Sequence, residues 1–316
     1  MWTSGALWAL AAGVAVAVAA LFQLFGPGID AHNSRVLQPL TDIERKFLAE
    51  HIARGAEETG FLQRPRPHGQ VARIFYRFWL PRHLDSHAKA KGVVVVLHGM
   101  NSHSARNNSF MVELLQSGFV VKDKYKGQKV FLHGGSLGGL LILNMLTKVD
   151  KDFVDGAVIL CPAVQIHETS RPSIAIERVG KLLRSIAPKI PFAAGNRGRN
   201  SSSEVAALVD ALKRADPLFY NGRLRIGTGF AILDALEHIQ DKLHLIETPY
   251  LLQHGLADQV CHISGSEELH KKTSSTDKQF RSYPGGSHDL SNEPPLIRNA
   301  VVNDFVAWLE EQSAKK

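Results

Sequence analysis

Cysteine occurs only twice in the 316 residues, at Cys161 and Cys261, so no disulfide framework can staple this chain. Each lies near the end of a predicted strand, which leaves a bridge and two free thiols beside a site both open. Dense basic runs with interleaved aromatics are missing as well. The net charge of +7 and the pI of about 9.4 therefore read as a solvated basic surface that favours anionic lipid headgroups, and no nucleic-acid partner is expected. No set of histidines has metal-ligand spacing, so no metal site is expected. Internal repeats are absent, and nothing in the sequence speaks to oligomeric state.

Charge is also missing throughout Gly5–Phe25, an Ala- and Val-rich run long enough to span a ~30 Å hydrocarbon core as a helix. A cleaved signal peptide is the rival, because Val18-Ala19-Ala20 resembles a cleavage site. The run exceeds the usual ~7–15 residue apolar region of such peptides, however, and no basic residue precedes it. An uncleaved anchor over 1–28 is the expectation, with Trp2 and Trp8 suited to the interface. Arg35, Arg45 and Lys46 follow the span, which tilts the remainder towards the cytosol. The sequons at Asn107 and Asn200 are of a kind that arises easily by chance.

What remains has the makings of a packed core, with 44% hydrophobic and 21% charged residues overall. Asp42–Gly60 reads as an amphipathic helix capped by Thr41. Val71–Leu80 alternates and is rich in aromatic and branched residues, so it is a predicted strand. Gly92–Leu97 is continuously apolar, as expected of a strand buried on both faces of a parallel sheet. A short helix over 108–117 follows, then Phe119–Val121, which looks like the start of another strand. Asp155–Ala163, Pro249–Leu256 and Lys278–Tyr283 supply further strands, and Pro295–Glu310 a closing helix. Between Val164 and Glu247 no convincing buried strand appears, only helical patterns (174–186, 203–214, 229–238) with Pro-, Gly- and Ser-rich breaks. An excursion that long should be a unit of its own. The expected organisation is an anchor (1–28), a core in two parts (29–163 and 248–316) and a helical cap (164–247). Strands alternating with helices imply an α/β fold with a mostly parallel, doubly wound sheet.

The chain is organised around Lys129–Gly139 (KVFLHGGSLGG), an apolar strand running into a Gly-rich turn, with an apolar helical stretch over Leu140–Val149. Gly134-Gly-Ser-Leu-Gly138 fits G-x-S-x-G, the elbow that lifts a nucleophilic serine above a tight strand-to-helix turn. An ordinary Ser in a Gly-rich turn is the bland alternative; the flanking strand and helix favour the elbow. A serine needs a base, and the base needs a carboxylate to hold its tautomer. In the order Ser, acid, His, the partners should follow late strands. Asp258, in His254-Gly-Leu-Ala-Asp258, and His288, in Pro284-Gly-Gly-Ser-His288, meet that requirement; Asp155 and Asp289 are the decoys. An oxyanion hole needs two N–H donors, here Leu137 after the serine and Met100 in the His98-Gly99-Met100 turn.

With those residues in view, 70–312 resembles the monoglyceride lipase branch of the α/β-hydrolases, within the serine aminopeptidase-like hydrolase group. The stretches that carry the resemblance are VVVVLHGM, VFLHGGSLGG, GAVILCPA, DPLFYNGRLRIGTG, TPYLLQHGLADQVC and YPGGSHDL. It implies a membrane-associated esterase or lipase for monoacylglycerols or similar acyl esters, needing no cofactor, with the 164–247 cap as an apolar entrance for the acyl chain. Gly135 departs from that branch, which usually has His or another polar residue before the serine. A larger departure lies at 121–129. The fold needs a strand, a crossover helix and then the elbow strand, and a parallel crossover usually takes ~10–12 residues or more. The expectation is a sheet short of one strand–helix unit, with the 108–117 helix crossing directly to the elbow strand. Two other readings stay open: a catalytically dead acyl-binding or interaction protein, and a peptidase acting at N-terminal residues.

Overall fold

The computed structural model describes residues 52–65, 71–81, 90–100, 108–120, 128–168, 173–193 and 223–315, with a few isolated positions besides. The predicted anchor, the 203–214 helix, the sequon asparagines Asn107 and Asn200, and Asp216-Pro-Leu-Phe-Tyr220 lie outside that set but for isolated positions. Among the described residues no helix is long and apolar enough to cross a membrane.

In chain order come β1 (Ile52–Pro65), β2 (Val71–Pro81), β3 (Gly92–Leu97), α1 (Asn108–Gln116), β4 (Phe119–Val120), β5 (Val130–Gly135), α2 (Leu137–Leu146) and β6 (Gly156–Leu160). They are followed by α3 (Ile174–Leu183), β7 (Pro191–Ala193), β8 (Leu224–Arg225), α4 (Ile226–Gln240), β9 (Tyr250–Gly255), α5 (Ile263–Lys272), β10 (Lys278–Tyr283) and α6 (Pro295–Ala314). The central sheet has six strands in the order β10-β9-β6-β5-β3-β4, every neighbouring pair parallel.

The period of two along each strand divides its side chains between two cores. Val94, Phe131, Val158 and Leu251 face one side, where α1 contributes Met111 and Leu114 and α6 contributes Val301, Phe305 and Trp308. Leu132, Ala157, Ile159, Tyr250 and Leu252 face the other, against Leu140 and Leu143 of α2, Leu236 and Ile239 of α4 and Leu269 of α5. Strands covered on both faces are apolar at most positions, which is why they read as hydrophobic runs; the buried exceptions, His133, Gln253 and His254, are hydrogen-bonded.

Two expectations are corrected. Over 52–60 the chain is not helical: β1 pairs antiparallel with β2, Gly60 opposite Tyr76, with an irregularity in register between Ile52 and Glu57. Ala and Glu give this stretch helical propensity, but a strand-forming partner overrides so weak a bias. Residues 42–51 lie outside the described set.

The second correction concerns the short crossover. Phe119–Val120 does join the sheet, pairing with Gly92 and Val93, so the fourth strand is present but two residues long. Val93 is flanked by Val120 on one side and Val130 on the other. The chain therefore leaves β4 at the register where β5 begins. It must shift sideways by two strand spacings of ~4.8 Å and need not return along the sheet. Residues 121–129, with a reach of up to ~30 Å when extended, suffice for that step. An ordinary crossover needs its helix because a full-length strand ends ~17–20 Å from where the next must start.

Within 164–247, α3 and α4 are joined by an exposed Arg184–Asp234 ion pair, Arg184 Nη1 lying 3.1 Å from both carboxylate oxygens. β7 and β8, too short to be legible as strands, pair antiparallel there.

Candidate active site

Ser136 stands where β5 stops and α2 starts. Its backbone is left-handed, with φ 55° and ψ −119°, a conformation that costs a non-glycine residue on the order of 1–3 kcal/mol. Neighbours hold it there. The Ser136 N–H donates to Leu160 O on β6 (2.9 Å), and its carbonyl accepts from Leu140 N and Ala163 N (both 3.1 Å). Although Ser136 occupies the N-cap position of α2, its side chain makes no capping hydrogen bond, so the hydroxyl is not consumed by the helix. The glycines account for the tight approach. A Cβ on Gly138 would lie 2.0 Å from Leu97 O, and one on Gly134 would lie 2.7 Å from the Gly138 carbonyl carbon. At Gly135 a Cβ would meet nothing closer than Leu160 O at 3.7 Å. The departure from the family pattern there is thus a side chain forgone, with room left for it.

Asp258 sits in the turn after β9, closed by Asp258 N donating to Gly255 O (3.2 Å). Its Oδ1 accepts from Val260 N (2.7 Å) and Cys261 N (3.0 Å). Its Oδ2 accepts from His288 Nδ1 at 2.8 Å. The loop carrying His288 leaves β10 and folds across the end of β9, where Ala257 N donates to Gly286 O (2.8 Å). That crossing needs a bare backbone below it, since a Cβ on Gly255 would lie 2.3 Å from Gly286 O. The loop reaches the end of β6, where Cys161 Sγ lies 4.0 Å from Ser287 O. Because β6 adjoins β5, residues that follow four strands (β5, β6, β9 and β10) stand at one rim of the sheet.

Burial pushes Asp258's carboxyl up, but hydrogen bonds from His254 and His288 outweigh it and hold the group well below the usual carboxylate range. Burial likewise pushes His288 down, yet the Cys261 sulfur and the Asp258 carboxylate raise it well above 6.5. With Nδ1 committed to Asp258, Nε2 is the nitrogen left to serve a hydroxyl. No hydrogen bond between Ser136 Oγ and His288 is present among the described residues. Such contacts are often long until substrate closes them.

Gly99 packs against the elbow: a Cβ there would lie 3.2 Å from Gly135 O and 3.5 Å from Ser136 Cβ. This brings the turn bearing Met100 beside the serine. Neither Met100 N–H nor Leu137 N–H has an acceptor among the described residues, Leu137 being the first residue of α2.

Both cysteines are free and buried, which decides between the two possibilities left by the sequence. Donor atoms of Cys161, Asp258 and His288 lie within 4.8 Å of one another, a grouping across strands that spacing along the chain cannot reveal. The facing atoms of Asp258 and His288 are engaged with each other. Burial, and then the Asp258 charge, push the Cys161 thiol up, so it stays protonated. Sequence reasoning also passed over His254. A histidine in a strand buried on both faces must find polar partners, and it finds one in Asp258, with Nε2 3.2 Å from Oδ2.

A family model described as serine aminopeptidase, S33 (Hydrolase_4) matches residues 120–295, more than half of the chain and inclusive of Ser136, Asp258 and His288. The chain belongs to this S33 hydrolase family. Its relatives include the monoglyceride lipase of Rattus norvegicus, 27% identical over 208 residues that make up 65% of this chain and 66%, just under two thirds, of the rat protein. Caffeoylshikimate esterase of Arabidopsis thaliana is 27% identical over 233 residues, 73% of this chain and 68% of that one. Among solved structures, a soluble variant of Saccharomyces cerevisiae monoglyceride lipase in complex with a substrate analogue shares the fold. Its TM-score is 0.66 at 19% identity, covering 81% of this chain and 96% of that one. This S33 hydrolase thus has the α/β-hydrolase fold and resembles ester hydrolases of the monoacylglycerol lipase type.

Proposed function

We propose that this chain hydrolyses acyl esters of lipids, monoacylglycerols among them, through an acyl-enzyme on Ser136. The observation that carries the reading is the buried His288–Asp258 hydrogen bond, delivered over β6 to the strand beside the strained serine. Ser136 Oγ attacks the ester carbonyl while His288 Nε2 takes its proton. The Met100 and Leu137 amides hold the oxyanion, and Asp258 orients the imidazole and stabilises its charged form. Collapse breaks the ester bond, and His288 returns the proton to the departing alcohol. Water then attacks the acyl-serine by the same route in reverse, releasing the fatty acid. The rat and yeast relatives named as monoglyceride lipases support the substrate class. The shortened β4 pairs with β3, on the far side of β5 from β6, β9 and β10, which favours an active enzyme over an inert one.

Acyl binding without turnover is the second reading, favoured by the missing Ser136–His288 hydrogen bond. A fluorophosphonate probe and turnover of a monoacylglycerol separate the two. Labelling that is abolished in Ser136→Ala, with glycerol released by the wild type, is expected. Equal labelling of both proteins would overturn the assignment of the nucleophile, and acyl binding without glycerol release would favour the second reading. Comparing an ester with an aminoacyl amide tests the peptidase alternative. Because only neutral His288 can accept a proton and its pKa is raised, the acid limb of kcat/KM should lie above pH 6.5. The division into core and cap, and a membrane tether over Gly5–Phe25 with the hydrolase on the cytosolic side, rest on sequence alone. Retention of the full chain in alkali-washed membranes, and release of a chain lacking 1–28, would test the tether.

A further inference from the structure

His254 lies on β9, fully buried, and every polar atom of its ring is accounted for. Its Nε2 lies 3.2 Å from Asp258 Oδ2 and 3.2 Å from the Cys261 carbonyl oxygen. Both are acceptors, so Nε2 must carry the proton. Its Nδ1 lies 2.7 Å from Ser266 Oγ on α5, itself buried, and a hydroxyl can donate to it. Ser266 O–H therefore donates to His254 Nδ1 and His288 Nδ1–H to Asp258 Oδ2, while the single His254 Nε2–H is hydrogen-bonded to the Cys261 carbonyl and also faces Asp258 Oδ2 at 3.2 Å.

This inference rests on the catalytic reading of Asp258 and His288 and goes beyond it. We propose that His254 is a positioning residue for the Asp258–His288 pair, its Nε2–H steering and partly neutralising the one carboxylate oxygen that His288 uses. The carboxylate then has the Val260 and Cys261 amides on Oδ1 and His288 on Oδ2, with the His254 N–H, shared with the Cys261 carbonyl, facing Oδ2 as well. With both oxygens tied, the carboxylate cannot rotate away from His288 when the imidazole takes up the serine proton. A core histidine serving packing alone has no need to share the oxygen that holds the catalytic ring.

Partial neutralisation gives the proposal a sign. Without the His254 donor, Oδ2 is a stronger base and holds the His288 proton more firmly. The acid limb of kcat/KM then moves to higher pH. The ionisable groups that the structure places around His288 are Asp258 and His254 from β9 and its turn, Cys261 before α5, and Cys161 after β6. Glu293 bonds the neighbouring Ser287. Of these, His254 alone can be changed without touching His288 or the backbone of its loop.

The experiment uses the full chain with His254→Phe, His254→Gln and Ser266→Ala, folding checked by circular dichroism. His254→Phe should lower kcat about tenfold with KM unchanged, the rate equivalent of one hydrogen bond to a charged group. Its acid limb should rise by roughly half to one pH unit. Glutamine, whose amide nitrogen can stand near the Nε2 position, should restore most of the loss. Ser266→Ala should shift the limb the same way by less, since it only weakens the donor. The low-field Nδ1–H proton resonance of His288 reports the same pKa without turnover. If the wild type shows no hydrolysis but this resonance moves in His254→Phe, the function fails and the positioning role stands. An unmoved acid limb and resonance in a folded His254→Phe would overturn the proposal, as would a glutamine variant no better than phenylalanine. Should His254→Phe not fold, an unshifted Ser266→Ala overturns it.

Discussion

The two flanks of β5 differ. On the β6 side the sheet continues through β9 to β10 with long registers, including six pairs between β9 and β10. There it carries the left-handed Ser136 and Cys161, buried Asp258 and the His288 loop. On the β3 side the sheet ends in β4, with two pairs. Beyond Val93, β3 has no paired strand on that edge among the described residues. Strain and buried charge persist only where the surroundings over-determine them, and the well-paired flank supplies those surroundings. A shortened strand is borne on the flank that, apart from the Met100 turn, carries none of the residues proposed for catalysis.

Substitutions should separate the flanks. Ser136→Ala should lower kcat/KM by at least ~10⁴-fold, as loss of a triad nucleophile does, while the urea midpoint stays unchanged. A comparable fall in stability would break the comparison. On the thin flank, Phe119→Ala empties a fully buried site against Phe131 and should cost about 3–5 kcal/mol by urea unfolding. The kcat/KM of the folded fraction should be retained; loss of both would show that the flanks are coupled.

His133 on β5 is next in size. Burial lowers its pKa to about 4, against a hydrogen bond to Val158 O. The unfolded chain, with an ordinary pKa near 6.5, binds the proton first, so stability should fall as pH drops from about 6.5 to 4, by about 3 kcal/mol in all. Stability measured across that window should fall less steeply in His133→Gln. The smallest effect is expected for Lys91→Ala. Its ion pair with Glu310 joins the start of β3 to α6, but both partners are about half exposed, so the loss should be no more than about 1 kcal/mol.

Much of this was legible along the chain, for identifiable reasons. Strands buried on both faces announce themselves as Val93–Leu97 or Gly156–Leu160 because neither face offers water, so a polar residue is placed there only where a partner is built for it. The elbow is legible because Gly134 and Gly138 answer to backbone contacts only a few residues or one strand away. Less was legible where partners are distant. The helical reading of 52–60 failed because β2 decided it, and β4 was underestimated because pairing with Gly92 and Val93, not its length, makes it a strand. His254 escaped notice because its partner Ser266 lies on another element.

By itself the amino-acid order determined which residues could carry chemistry: a hydroxyl in a glycine-walled turn, then an acid and an imidazole after late strands. Residue type and local backbone geometry are properties of short segments, and short segments are what a sequence displays. Only the tertiary structure decided that one carboxylate oxygen serves two imidazoles, that both thiols stay unbridged beside it, and that a two-residue strand suffices at the sheet's edge. Those outcomes depend on distances between strands, set by hydrogen-bond register and by the packing of two helical layers on the sheet.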